Sequence, residues 1–304
     1  MEKEFKYLKD DVEYSLKHSN LKKIYKELEN IKDPTLVVGV GGSHVVSEFA
    51  SKVLSETNQM ITRNAEPRDL LYLNMSVFKN VFVCSYGGRN YGVEIAFLNE
   101  LKHYLLSAQK KEREDIHNIT YQIEKPSNSF ISLSATLIPC TILLSYYLSF
   151  TKISIHDILD SYLKEYLYTF DTNGDVYEIF SGIDTSTSSH FLESTMMESG
   201  IGIPIVHDKY DYCHGRSTLS KNRYHHAIYF DTRTELDQLL LQELPKYYPE
   251  VIVIPMESSI IGDYVGLIKS MYLTKYLAES KQKDLSHVDY SPIAKKIYKY
   301  KGQL

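Results

Sequence analysis

Two glycine-rich turns in the first third of the chain carry groups suited to holding an anion. The first, Val37-Val38-Gly39-Val40-Gly41-Gly42-Ser43, leaves an apolar β-branched run and enters a helical pattern, with Ser43 placed as an N-cap. Glycines let the backbone come close to a ligand, and free amides at a helix start favour negative charge. The second, Phe82-Val83-Cys84-Ser85-Tyr86-Gly87-Gly88-Arg89-Asn90, repeats the order of strand, glycines and helix and adds a hydroxyl, a guanidinium and a carboxamide. Arg89 is suited to bidentate contact with phosphate oxygens, and Ser85 and Asn90 to donating to them. The first turn lacks the lysine of a P-loop and the spacing of a dinucleotide fingerprint, so a tight turn without a ligand is the alternative reading. Two such turns in one α/β unit meet at the carboxyl edge of the sheet, where open α/β sheets bind ligands.

Other reactive side chains fall into weaker patterns. His207, Cys213, His214, His225 and His226 lie near one another in the sequence but match no zinc spacing, and adjacent side chains seldom ligate one ion, so no metal site is expected. Cys213 reads as a packing residue before a turn. Glu193 and Glu198 are five apart, roughly 140° around a helix, which rules out a paired-carboxylate site and leaves Glu193 to solvent. The chain has 26 tyrosines and no tryptophan; without a basic groove these read as core edges and a subunit interface rather than stacking platforms for bases.

The elements that must position these groups can be read from composition and periodicity. The 304 residues are 43% hydrophobic and 24% charged, the profile of a globular protein of one large or two ordinary domains. A net charge of −5 supplies no field to hold a polyanion, which argues against a general nucleic-acid binder. Three cysteines at no framework spacing fit a reducing cytoplasm. The charged N-terminus has no apolar signal region, and the longest apolar stretch, Ala135 to Phe150, is shorter than a membrane span and contains Pro139, so it reads as a buried helix.

Residues 1–33 read as two amphipathic helices broken near Ser19-Asn20. From Thr35 onward, strand-like runs alternate with helices, implying parallel sheets covered on both faces. Strands are expected at Thr35–Val40, Leu70–Asn74, Val81–Ser85 and Asn118–Ile123, and helices at Ser43 to about Glu56, Asn90 to Leu106 and from about Phe130. The rhythm restarts after a tyrosine-rich stretch, with strands near 176–180, 203–206, 227–230 and 251–255 and helices near 188–199, 234–244 and 261–278. The expected organisation is N-terminal helices, a first α/β unit over 34–160 and a second over 161–304.

The pair of turns resembles the sugar isomerase (SIS) domain family, whose second turn reads Ser-x-Ser-Gly-x-Thr. Ser85, Gly88 and Asn90 fall on its first Ser, Gly and Thr, while Gly87 replaces the second Ser and Gly42 replaces a Thr of the first turn. Two hydroxyl donors are thereby lost, and Arg89 is placed to make up the contacts. In the second half, Met196-Met197-Glu198 and Asp211-Tyr212-Cys213-His214-Gly215-Arg216 resemble the isomerase domain of glucosamine-6-phosphate synthase, with the same gap of sixteen between acid and imidazole. The His-Gly-Arg form, in place of His-Gly-Pro, resembles a less characterised SIS branch. The C-terminal Asp289-Tyr-Ser-Pro292-Ile-Ala294-Lys295-Lys296 is similar to the family tail, with Lys296 the better match and Lys295 the next; a solvated basic tail is the other reading.

The resemblance implies two SIS-like three-layer α/β/α units and a phosphosugar ligand, with no cofactor. It implies an aldose-ketose isomerase, or a related lyase or deglycase, in which Glu198 carries the proton between C1 and C2, His214 assists ring opening and Lys296 holds open-chain oxygens. Gly41, Gly42, Ser43, Ser85, Gly87, Gly88, Arg89 and Asn90 would cradle the anion. Such chemistry needs a carboxylate whose pKa is raised in an apolar site and a group titrating near neutrality. The alternative is a non-catalytic sensor of a sugar phosphate or nucleotide-linked sugar. The resemblance also implies a homodimer or homotetramer, in which His214 acts in its own or a neighbouring subunit's pocket.

Overall fold

The computed structural model describes residues 2–126, 129, 131–221, 225–287 and 292. The chain opens with α1 (Glu2–His18) and α2 (Leu21–Glu29), separated at Ser19-Asn20, where the Asn20 side chain caps α2 by accepting from the Lys23 amide. Leu8, Val12 and Leu16 form the buried stripe of α1, at the helical spacing the sequence carries.

The first sheet comprises β1 (Thr35–Val38), β2 (Thr62–Ala65), β3 (Asn80–Cys84), β4 (Lys102–Ser107) and β5 (Ile116–Thr120), all parallel in the order β2-β1-β3-β4-β5. Its helices are α3 (Gly42–Asn58), α4 (Tyr91–Ala96) and α5 (Leu133–Leu148), followed by α6 (Ile155–Tyr162). The second sheet is β6 (Val176–Ser181), β7 (Ile203–Asp208), β8 (His225–Asp231) and β9 (Val251–Pro255), parallel in the order β7-β6-β8-β9. Its helices are α7 (Ser186–Ser199), α8 (Glu235–Glu243) and α9 (Ile260–Ser280).

Two sequence expectations are corrected. The helix expected from Asn90 to Leu106 ends at Ala96, and residues 102–107 form the central strand β4. Its run Tyr104-Leu105-Leu106 is buried on both faces, and a continuous apolar run has the same appearance in a buried helix. The strand expected at Leu70–Asn74 is instead a 3-10 turn over Pro67–Leu71, closed by a capping box between Glu66 and Asp69. The edge position belongs to β2, whose Thr-Arg-Asn-Ala has no apolar alternation to reveal it.

Alternation along the strands divides the core into layers. Val37, Phe82, Tyr104 and Ile119 of the first sheet and Tyr177, Ile179, Ile228 and Ile252 of the second belong to one cluster with α3, α5, α7 and α9. Their neighbours Leu36, Val38, Val81 and Leu105 face the other way, onto α4. Phe180, Ala227 and Tyr229 likewise face α8. The two sheets therefore share a central helical layer, so the halves are held by a common core. Buried Asp263 of α9 reinforces that layer: it accepts from the Thr187 and Ser188 amides at the start of α7 (3.3 and 3.0 Å) and pairs with Lys52 of α3. Among the described residues, no helix is long and apolar enough to cross a membrane.

Candidate active site

In the first sheet the order of the parallel strands reverses between β1 and β3, and the crevice at such a switch point is where open α/β sheets receive ligands. Both glycine-rich turns end there. The turn after β1 is tight: a side chain on Gly39 would place its Cβ 2.0 Å from the Ser43 carbonyl oxygen, and Gly41 takes a left-handed φ of 57°. The N-cap of α3 is Gly41 rather than the expected Ser43, and no side chain caps the helix; the Ser43 and His44 amides donate to the Val40 and Gly41 carbonyls (3.1 and 2.8 Å), and the positive end of the helix dipole lies at this turn.

The second turn is braced by its own side chains. Ser85 Oγ accepts from the Gly88 amide at 3.1 Å, Asn90 Oδ1 caps α4 through the Val93 amide at 2.9 Å, and the Ala108 amide donates to the Tyr86 carbonyl. Ser85 is buried and Arg89 is exposed.

A cavity of about 330 Å³ opens between these turns and α7. Gly42, Ser43 and Tyr86 line it from the turns, and Ser132, Ala135 and Thr136 from the start of α5, whose cap Ser132 accepts from the Ala135 amide. Ser194, Thr195 and Glu198 line it from α7. Two helix N-termini thus converge on a hydroxyl-rich space with one carboxylate at its wall. Glu198 Oε1 accepts from Ser194 Oγ at 3.1 Å and lies 3.7 Å from where a Cβ on Gly41 would stand. Burial raises the Glu198 pKa from its ordinary value, and the Ser194 hydrogen bond opposes this only in part.

The structure therefore brings Gly41, Gly42, Ser43 and Glu198 together; from the second turn Tyr86 reaches the cavity, whereas Ser85, Gly87, Gly88, Arg89 and Asn90 are not among its lining residues. His214 is not in this cavity. It follows a short turn over Asp211–Cys213 beyond β7 and is exposed, as are Asp211 and Cys213. Between them Tyr212 points inward, its hydroxyl 2.9 Å from that of Tyr248, which donates to Glu178 Oε2 at 2.7 Å. His207 and His225 also reach the Glu178 carboxylate, at 2.9 and 2.7 Å, so these histidines part company with Cys213 and His214. Glu193 is half-buried rather than open to solvent, and it does not line the cavity. Lys295, Lys296 and Asp289 lie outside the described residues.

Sequence reasoning missed Ser132, Thr136, Ser194 and Thr195. Ser194 sits one helical turn before Glu198, a spacing that could have found it; the α5 residues come from a distant segment with no local signal.

No protein-family model matches the sequence, and no curated protein matches it. Solved structures do match. The glucosamine-6-phosphate deaminase of Thermotoga maritima superposes with a TM-score of 0.73 at 14% identity, over 94% of this chain and 98% of that one. The tagatose-6-phosphate ketose/aldose isomerase of Escherichia coli gives 0.70 at 14% identity over 96% of each chain. The C-terminal domain of a Francisella tularensis glucosamine-fructose-6-phosphate aminotransferase gives 0.69 at 13%, over 94% and 97%. The chain has the SIS fold. Within that SIS fold the doubled α/β arrangement extends over nearly the whole length of each similar chain, so the two sheets and their shared helical layer form one unit of the architecture.

Proposed function

We propose that the protein binds a phosphosugar in the cavity between the β1–α3 turn, the start of α5 and helix α7, and interconverts its aldose and ketose forms. The observation that carries this reading is Glu198: a half-buried carboxylate with a raised pKa, beside the amide-rich end of α3 and among neutral hydroxyls. Such a group is suited to take a proton from one sugar carbon and return it to the next. The α3 and α5 N-termini favour the anionic end of the ligand and the oxygen that gains charge in the enediol. The named activities of the similar structures, a ketose/aldose isomerase among them, fit the same substrate class.

His214, exposed on its own subunit, serves in this reading as the ring-opening group in the cavity of a neighbouring subunit, and Lys296 holds open-chain oxygens. Related lyase or deglycase chemistry would use the same proton carrier. The second reading is a sensor that binds the sugar without turning it over. It is favoured by one feature: Ser85 and Asn90 already use their side-chain oxygens within the turn, and Gly87 offers no hydroxyl.

Incubating the protein with a panel of phosphosugars in deuterated water tests both. Isomerisation predicts deuterium entering C1 or C2, with loss of exchange in Glu198→Gln. Exchange that survives this substitution defeats the mechanism, and tight binding without exchange selects the sensor.

A further inference from the structure

Beside the cavity, three potential metal ligands converge from the two halves of the molecule. His44 and Glu48 stand one turn apart on α3, and His190 faces them from α7. One ligand atom from each lies within 4.8 Å of the others, and all three residues are half-buried. We propose that His44, Glu48 and His190 form a binding site for a divalent transition-metal ion of the zinc class, clamping α3 to α7 at the flank of the cavity.

The donor set decides the class of ion. Two imidazoles and one carboxylate suit zinc and its transition-metal neighbours, whereas magnesium and calcium want an all-oxygen shell. Two ligands of a tetrahedral zinc ion stand about 3.3 Å apart. Side-chain shifts of about an ångström would close this cluster around an ion, with no backbone rearrangement and with the fourth position open.

The surroundings orient the ligands as an outer shell does. Asn64 Nδ2 donates to Glu48 Oε2 at 3.2 Å and lies 3.4 Å from His44 Nε2, so the amide faces the acceptor atoms of both residues and holds them side by side; each turns from it to ligate. The amide is held by Ser47, whose hydroxyl donates to Asn64 Oδ1 at 2.8 Å. The other ring nitrogen, Nδ1 of His44, is buried without a hydrogen bond and lies 3.3 Å from Glu66 Oε1, the carboxylate-imidazole order typical of metal-bound histidine. His190 Nδ1 lies 2.8 Å from Glu48 Oε2 and gives up that contact to ligate.

The position gives the ion a consequence. His44 directly follows Ser43, and His190 precedes Ser194 by one helical turn; both serines line the cavity. An ion here would fix the spacing between the anion-binding turn and the helix that bears Glu198, whatever molecule occupies the cavity.

The test uses the full chain, freed of metal with a chelator and titrated with Co(II), with Zn(II) in competition and Mg(II) as a control. The expected result is one Co(II) per chain, a visible spectrum of nitrogen-ligated cobalt, displacement by Zn(II) and no displacement by Mg(II). Glu48→Gln and His190→Ala should each weaken binding about tenfold or more, and the exposed His287→Ala should leave it unchanged. Absence of saturable Co(II) binding overturns the proposal, as does undiminished affinity in both ligand variants. Should His190→Ala fail to fold, the near-isosteric Glu48→Gln decides alone: a melting temperature that rises with zinc in the wild type must no longer do so in that variant.

Discussion

Glu198 illustrates how placement alone changes the acidity of a side chain. Its neighbours are hydroxyls, glycine backbone and apolar side chains, so desolvation is uncompensated by a cation and the carboxyl pKa rises. The sign follows. The folded state holds this proton more tightly than the unfolded chain, so the stabilising contribution is present at low pH and is lost as pH rises through the raised pKa. At neutral pH the ionised group therefore destabilises the fold. Glu198→Gln is expected to raise the midpoint of thermal unfolding at neutral pH while lowering isotope exchange by about 10²–10⁴-fold, the span of general-base contributions. In the wild type, exchange should grow with pH across an inflection above the ordinary glutamate value. Thermal melts and exchange rates measured across the acid-to-neutral range check both statements.

Among the elements, the β1–α3 turn and the α8 cap are the most sensitive. A Cβ at Gly39 would sit far inside van der Waals contact of the Ser43 backbone, so Gly39→Ala must displace the start of α3. The expected cost is about 1–3 kcal/mol or more, read from chemical denaturation, together with weaker phosphosugar binding because the α3 amides move. At the other end, buried Asp237 accepts from Lys209 Nζ at 2.7 Å, the Tyr229 hydroxyl at 2.6 Å and the Thr232 and Thr234 amides, joining β7, β8 and α8. Burial alone would raise the Asp237 pKa, but these partners outweigh it and hold the carboxyl well below its usual range. Asp237→Asn leaves Lys209 a buried cation without its counter-charge, and a loss of about 3–5 kcal/mol in denaturation is expected.

For the whole molecule, the proposed ring-opening role of His214, which does not line the cavity of its own chain, depends on assembly. If the imidazole serves a neighbour's cavity, Glu198→Gln and His214→Ala chains are each inactive alone. Co-expressed, they regain part of the exchange activity, because some mixed assemblies hold one intact site. Light scattering should give a dimer or tetramer; a monomer that retains full exchange would remove His214 from the mechanism. The shared helical layer bears on stability in the same way. Because α3, α5, α7 and α9 pack in one core between both sheets, the halves should unfold in a single transition, checked by coincidence of far-ultraviolet and tyrosine signals.

Local pattern was enough to read the alternating α/β organisation, the N-terminal helices and both glycine-rich turns, because each depends on short-range periodicity and on residues that permit a tight backbone. Glu198 was singled out by resemblance to a family motif, and the fold puts it on the cavity wall. What pattern could not supply was anything that depends on a distant segment. β4 was misread because burial on both faces erases periodicity, and β2 because an edge strand needs none. The hydroxyls of Ser132 and Thr136 join the cavity only when α5 docks beside α3. His44 and Glu48 meet His190, 142 residues away from Glu48, only because the two sheets press their helices into one layer. Periodicity is a property of neighbours in sequence; a site is a property of neighbours in space, and the packing of the central helices is what converts one into the other.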